Sequence, residues 1–146
     1  MDLKTFFPYR LALLSESVSR SIAQVYGARF NLTRDEWRVL AALAETPRMR
    51  NVHLVEHTTL DKMQVSRAVA RLERDGLVSR EADPDDGRGT VLRLLAPGRR
   101  LYRKVVPMVQ EREQFLLAGL KPAERAALDA ALDKVLHSAR VLRQQG

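Results

Sequence analysis

Apolar residues recur at helical spacing through most of this chain, and the period changes only in one stretch past its middle. Leu11, Leu14, Val18, Ile22 and Val25 repeat every three or four residues, which predicts an amphipathic helix that Pro8 opens and that Gly27 and Asn31 close. Thr33 followed by Glu36 has the form of a capping box, so a second helix is expected over residues 34–45, with Trp37, Leu40, Ala41 and Leu43 on its buried side and Pro47 ending it. Asn51 is placed to cap a short helix through His57. Asp61 and Gln64 form another capping box, and Gly76 stops the helix that follows.

After Gly76 the spacing drops to two. LVSREAD and TVLRLLAP read as strands, and the DPDDGRG between them is dense in turn residues. The result is a β-hairpin set between helical regions. Pro97 and Gly98 then open a long helix to about Leu120, and a last helix is expected from Pro122 to about Leu142. In the last one Ala127, Leu128, Ala131, Leu132, Val135 and Leu136 form a broad apolar stripe. The fold class is mainly α (α+β). The chain divides into a helix over residues 1–30, a compact helical and hairpin unit over 31–97, and paired helices over 98–146. The hairpin unit is too small to cover the apolar stripes of the outer helices, so these are expected to bury against a second copy of the chain.

Charge sharpens the picture. The 146 residues carry a formal net charge of +7, a balance that suits a polyanionic partner. Residues 60–104 hold 11 basic and 7 acidic side chains, and thus most of the excess. The absence of cysteine excludes disulfides, thiolate metal sites and thiol-based redox switching. No apolar run reaches the length of a membrane span, and the N-terminus lacks the form of a signal peptide. A cytoplasmic location is expected.

The helix DKMQVSRAVARLERDGL, residues 61–77, lies in the basic third. On a wheel Val65, Ala68, Val69 and Leu72 share one arc. Met63, Ser66, Arg67, Ala70 and Arg74 lie opposite, with Gln64 and Arg71 at a border. Small residues let such a face sink into a groove, and arginines reach guanine edges or phosphates. Repulsion between these arginines is tolerable where phosphates relieve it. The preceding short helix and the tight turn at 58–60 complete a helix-turn-helix, and the hairpin with Arg88 at its tip makes it winged.

The run from Asp61 to Leu101 resembles the MarR family of bacterial transcription regulators. The matching residues are Asp61, Lys62, Val65, Ser66 and Arg67; then Leu72, Glu73, Gly76, Leu77, Val78 and Arg80; then Asp83, Pro84, Asp86 and Arg88. The resemblance implies a winged helix-turn-helix with N- and C-terminal dimerisation helices. It also implies a homodimer that binds a pseudo-palindromic site in double-stranded DNA, usually as a repressor. Lys62, Met63, Gln64, Ser66, Arg67, Arg71, Arg74 and Arg88 are the candidate DNA-contacting residues. By family position Met63, Gln64, Ser66 and Arg67 face bases, Arg88 enters the minor groove, and Asp86 braces Arg88 or serves as a plain turn residue. Two departures stand out: Lys121 replaces the usual Ser or Thr cap of the last helix, and Met63 replaces a small polar residue.

Two other classes compete. HLVEH, residues 53–57, matches the inverzincin pattern of a zinc hydrolase, but it falls inside the helix-turn-helix and His137 is the only further histidine. A nonspecific architectural DNA binder would show the same basic face without sequence preference. No phosphate loop or dinucleotide fingerprint is present, so no catalytic residue, metal or cofactor is expected. The resemblance further implies a small-molecule effector. Tyr9, Arg10 and Trp37 are candidates for its pocket, where an aromatic ring beside an arginine suits a lipophilic or aromatic anion; Trp37 reads more readily as plain core.

Overall fold

The computed structural model describes residues 1–85, 87 and 89–146, so the expectations for Asp86 and Arg88 lie outside the described residues. Two compact units are present, Met1–Gln110 and Glu111–Gly146.

In the first unit, α1 spans Phe7–Phe30 with Pro8 in its first turn. It runs straight through Gly27 and stops at Asn31, whose backbone turns left-handed (φ 53°) and whose N–H donates to the Tyr26 carbonyl. A short polar side chain tolerates that conformation, which explains why Asn31 and not Gly27 ends the helix. α2 spans Arg34–Glu45. Its capping box is closed on both sides: the Glu36 N–H donates to Thr33 Oγ1 at 3.1 Å, and the Thr33 N–H donates to Glu36 Oε2 at 3.0 Å.

The next element was not expected. Arg48–Arg50 form a strand, β1, which displaces Asn51 from the capping position. Arg50 is the residue before α3 (Asn51–Thr58), and Asn51 is its first helical residue. α4 spans Lys62–Arg74 behind the Asp61 cap. β2 (Val78–Ala82) and β3 (Thr90–Leu94) are each shorter than the pattern predicted, and α5 (Ala96–Leu117) begins one residue before Pro97.

The sheet order is β1-β3-β2, all antiparallel. Val78 faces Leu94 at the root of the hairpin, and Met49 faces Leu92 on the other side. β3 is therefore central. Its Leu92 and Leu94 are buried while Arg93 is exposed, as the alternation requires.

The core of the first unit joins Tyr26 of α1, Val39, Leu40 and Leu43 of α2, Leu54 of α3, Val65, Val69 and Leu72 of α4, Leu92 of β3 and Val105 of α5. The first half of α1 is different. Phe7, Leu11, Leu13 and Leu14 are all exposed, as is Phe6 just before the helix.

The second unit holds the end of α5 and α6, Pro122–Gln145. The α6 start is capped from one side. The Lys121 N–H donates to Glu124 Oε1 at 2.9 Å, but an ammonium has no lone pair with which to accept in return. No residue of α6 is buried; Leu128, Leu132, Val135 and Leu136 all stand in solvent. No helix among the described residues is long and apolar enough to cross a membrane.

Candidate nucleic-acid interface

The turn between α3 and α4 is held by two side-chain hydrogen bonds and a buried leucine. The Thr58 hydroxyl donates back to the Leu54 carbonyl at 2.6 Å, which tightens the last turn of α3. Thr59 then takes a left-handed conformation (φ 62°), unusual for a β-branched residue. Arg38 of α2 reaches across and donates from Nη1 to Thr59 Oγ1 at 3.0 Å. Leu60 is buried beneath the turn. These contacts fix where α4 begins, and the Asp61 cap fixes how it begins. The Gln64 N–H donates to Asp61 Oδ1 at 2.8 Å and the Asp61 N–H donates to Gln64 Oε1 at 3.0 Å.

The faces of α4 fall as the wheel requires. Val65, Ala68, Val69 and Leu72 are buried. Lys62, Met63, Ser66, Arg67, Ala70 and Arg74 are exposed. Small Ser66 and Ala70 lie among longer side chains, which leaves a shallow step that a groove edge can enter.

Two border residues also make contacts within the protein. Gln64 is half-buried and its carbonyl oxygen already accepts from the cap, which leaves its NH₂ group as the freer handle for a base. Arg71 is engaged within the protein: its Nε lies 3.1 Å from Glu36 Oε1, and the Glu36 side chain is only 3% exposed. Sequence reasoning identified Glu36 as a cap and missed its second contact.

The turn of the hairpin is anchored at its base by Asp83, which is buried. Its N–H donates to the Gly89 carbonyl at 3.0 Å and its Oδ1 accepts from the Asp85 N–H at 2.9 Å. Arg50 Nε of β1 lies 2.6 Å from its Oδ2. The approach is off the line of a good hydrogen bond, so the contact acts as an ion pair. This role for Asp83 and Arg50 was also missed, because β1 itself was.

His53, Glu56 and His57 are exposed on α3. The two histidines line an open cleft of about 340 Å³ together with Arg48, Arg50, Asp83 and Asp85. Among the described residues no group of three or more His, Asp or Glu is arranged to hold a metal ion.

The effector candidates separate within one chain. Trp37 is stacked between Tyr26 and Tyr102, with ring centroids 5.5 and 5.6 Å away. Tyr9 and Arg10 are exposed near the start of α1, and the helix rises about 25 Å between Tyr9 and Tyr26. Tyr9 and Arg10 therefore form no pocket with Trp37 of the same chain. Trp37 belongs to the packed interior edge of α2.

Comparison with known proteins gives a consistent result. Residues 32–90 match the model of the MarR family. The transcriptional regulator HosA of Escherichia coli is 27% identical over 124 residues, covering 82% of this chain and 92% of HosA. The structure of BpsR from Bordetella bronchiseptica, whose DNA binding is regulated by 6-hydroxynicotinic acid, superposes with a TM-score of 0.83 at 27% identity, over 92% of this chain and 96% of BpsR. A variant of MarR from E. coli, complexed with operator DNA, superposes with a TM-score of 0.75 at 26% identity, over 87% of this chain and 94% of that one.

Proposed function

Because this chain belongs to the MarR family of transcription regulators, we propose that it represses transcription by binding a pseudo-palindromic operator as a homodimer. A regulator of this kind acts on chromosomal DNA in the cytoplasm. The observation that carries the reading is the outward face of α4. Its base-facing residues are Met63, Ser66, Arg67 and the free amide of Gln64, flanked by Lys62 and Arg74. A solvated helix face gains nothing from unbalanced arginines, whereas each one placed on phosphate releases counterions. Arg88, which lies outside the described residues, is proposed as the minor-groove contact, with Asp86 as its support.

The dimer is supported by the apolar side chains left exposed on the first half of α1 and, separately, along α6. Two-fold symmetry of the protein is then mirrored in the DNA site. A small aromatic carboxylate is proposed to release the DNA, in keeping with the aromatic acid that regulates BpsR. Tyr9 and Arg10 offer a ring and a guanidinium to such a ligand where a second chain supplies the rest of the pocket.

Selection of DNA fragments by the purified protein, followed by sequencing, tests the reading: a recurrent inverted repeat is the expected outcome. On the selected site Arg67→Ala is expected to weaken binding by roughly 1–3 kcal/mol per half-site and to relax preference at one base step. Recovery of fragments with no common sequence would establish a nonspecific binder instead.

A further inference from the structure

Among the described residues two carboxylates are buried, Glu36 and Asp83. Asp83 belongs to the base of the hairpin turn. Glu36 does more than its place at the start of α2 requires. A capping glutamate needs only to reach back to the cap residue, which it does from the surface of most helices. Here Oε2 serves that purpose, accepting from both the N–H and the hydroxyl of Thr33 at 3.0 Å. Oε1 is left over and faces Arg71 of α4 at 3.1 Å. A carboxylate this deeply buried is costly without a cation beside it, so Arg71 is tied to its place.

Seen from α4, the same contact removes a charge. Arg67, Arg71 and Arg74 are spaced four and three residues apart, which makes them neighbours along one side of the helix. The Arg71 side chain is 37% exposed, enough to swing toward a phosphate if it were released. Paired, it contributes almost nothing to the field beyond its partner.

We infer that the Glu36–Arg71 pair sets the specificity of the protein: it fixes the roll of α4 against α2 and withholds one guanidinium from phosphate. Specificity is the ratio of operator binding to binding at all other sites. Phosphate contacts raise both terms, and base contacts raise only the first. Three free arginines would bind any DNA more tightly and tolerate a poorly seated helix. Two free arginines on a helix held at one roll angle leave more of the discrimination to Met63, Ser66 and Arg67. Arg71 is thus a positioning residue, and Glu36 the group that positions it. The inference rests on the proposed DNA-binding reading.

The test is a salt titration of the full-length protein on its selected operator and on a scrambled duplex of equal length. The proteins are wild type, E36Q, R71Q, the E36Q/R71Q double variant and R67Q. Glutamine still serves a capping box, so E36Q keeps the Thr33 contacts and frees only Arg71. It is expected to bind scrambled DNA several-fold more tightly. Its slope of log affinity against log salt should steepen by about 0.9 per protomer, and its operator preference should fall. R71Q is expected to keep the wild-type slope while losing preference, whereas R67Q lowers the slope by about 0.9 per protomer. The double variant, with no charge on either side, should return to the wild-type slope; it and E36Q carry the test if R71Q does not fold. The inference is overturned if R71Q lowers the slope as R67Q does while E36Q leaves slope and preference unchanged, for Arg71 would then be on phosphate in the wild type. A wild type that does not prefer its own operator overturns the DNA-binding reading and this inference together.

Discussion

Arg50 in the edge strand β1 lies 2.6 Å from buried Asp83 at the base of the hairpin turn. The pair fastens the turn end of the hairpin to the strand that precedes α3. Asp83→Ala removes the ion pair and the acceptor for the Asp85 N–H. It is expected to destabilise the fold by about 1–3 kcal/mol and to weaken operator binding without changing the base preference of α4. Asp83→Asn keeps an acceptor for Asp85 and loses only the charge, and should fall between. Thermal melts combined with binding to matched and mutated operators check both. An Asp83→Asn protein equal to wild type in both would show that the ion pair is neutral.

Gly98 lies in the first turn of α5, where replacement by alanine ordinarily stabilises a helix. Here the sign should reverse. A Cβ at Gly98 would strike the Leu77 carbonyl oxygen and come within 2.7 Å of Leu94 Cδ1. The carbonyl cannot retreat freely, because it accepts from the Leu95 N–H at 3.0 Å. Gly98→Ala should therefore cost about 1–3 kcal/mol through overpacking. Gly119→Ala, with nothing within 4 Å of the new carbon, is the control and should melt close to wild type.

Tyr26 gives a pH signature. Burial raises its hydroxyl pKa above the ordinary tyrosine value, and the charges of Arg38 and Arg34 only partly offset this. The unfolded chain thus loses the proton first as pH rises. The stability that Tyr26 contributes is intact below about pH 10 and is lost as pH climbs from there through the folded value. Tyr26→Phe has no proton to lose, so its melting temperature should decline less steeply above pH 10 than that of the wild type. Parallel declines would show that Tyr26 ionises equally in both states.

Leu132, half-exposed on α6, tests the assembly. No residue of α6 is buried in the single chain, so Leu132→Asp has little intrachain packing to disrupt. Across a dimer interface it would bury an unpaired charge, a loss of roughly 3–5 kcal/mol. Sedimentation at micromolar concentration should show a dimer for the wild type and a monomer for the variant. A monomeric wild type would remove the dimer from the proposed function.

What could be read in the sequence was local. The caps at Thr33 and Asp61 fixed the starts of α2 and α4, and the buried arc of α4 followed from spacing alone. β1 escaped because three residues carry no period. Arg48–Arg50 are a strand only because the free edge of β3 accepts them. The same holds for Glu36 and Arg71. Each has a sufficient local explanation, a cap and a basic face, and their contact joins helices separated by β1 and α3. Tyr9, Arg10 and Trp37 were grouped by chemistry, and the length of α1 separates them.

The stacking of Trp37 between Tyr26 and Tyr102 has a practical consequence. It is the only tryptophan in the chain, and its neighbours come from α1 and α5 while it sits on α2. Indole emission depends on the polarity and ring contacts around it, so the molecule carries a built-in optical probe at the meeting point of three helices. Any ligand or partner that shifts α1 or α5 against α2 alters that emission, and can be titrated by fluorescence without attaching a label.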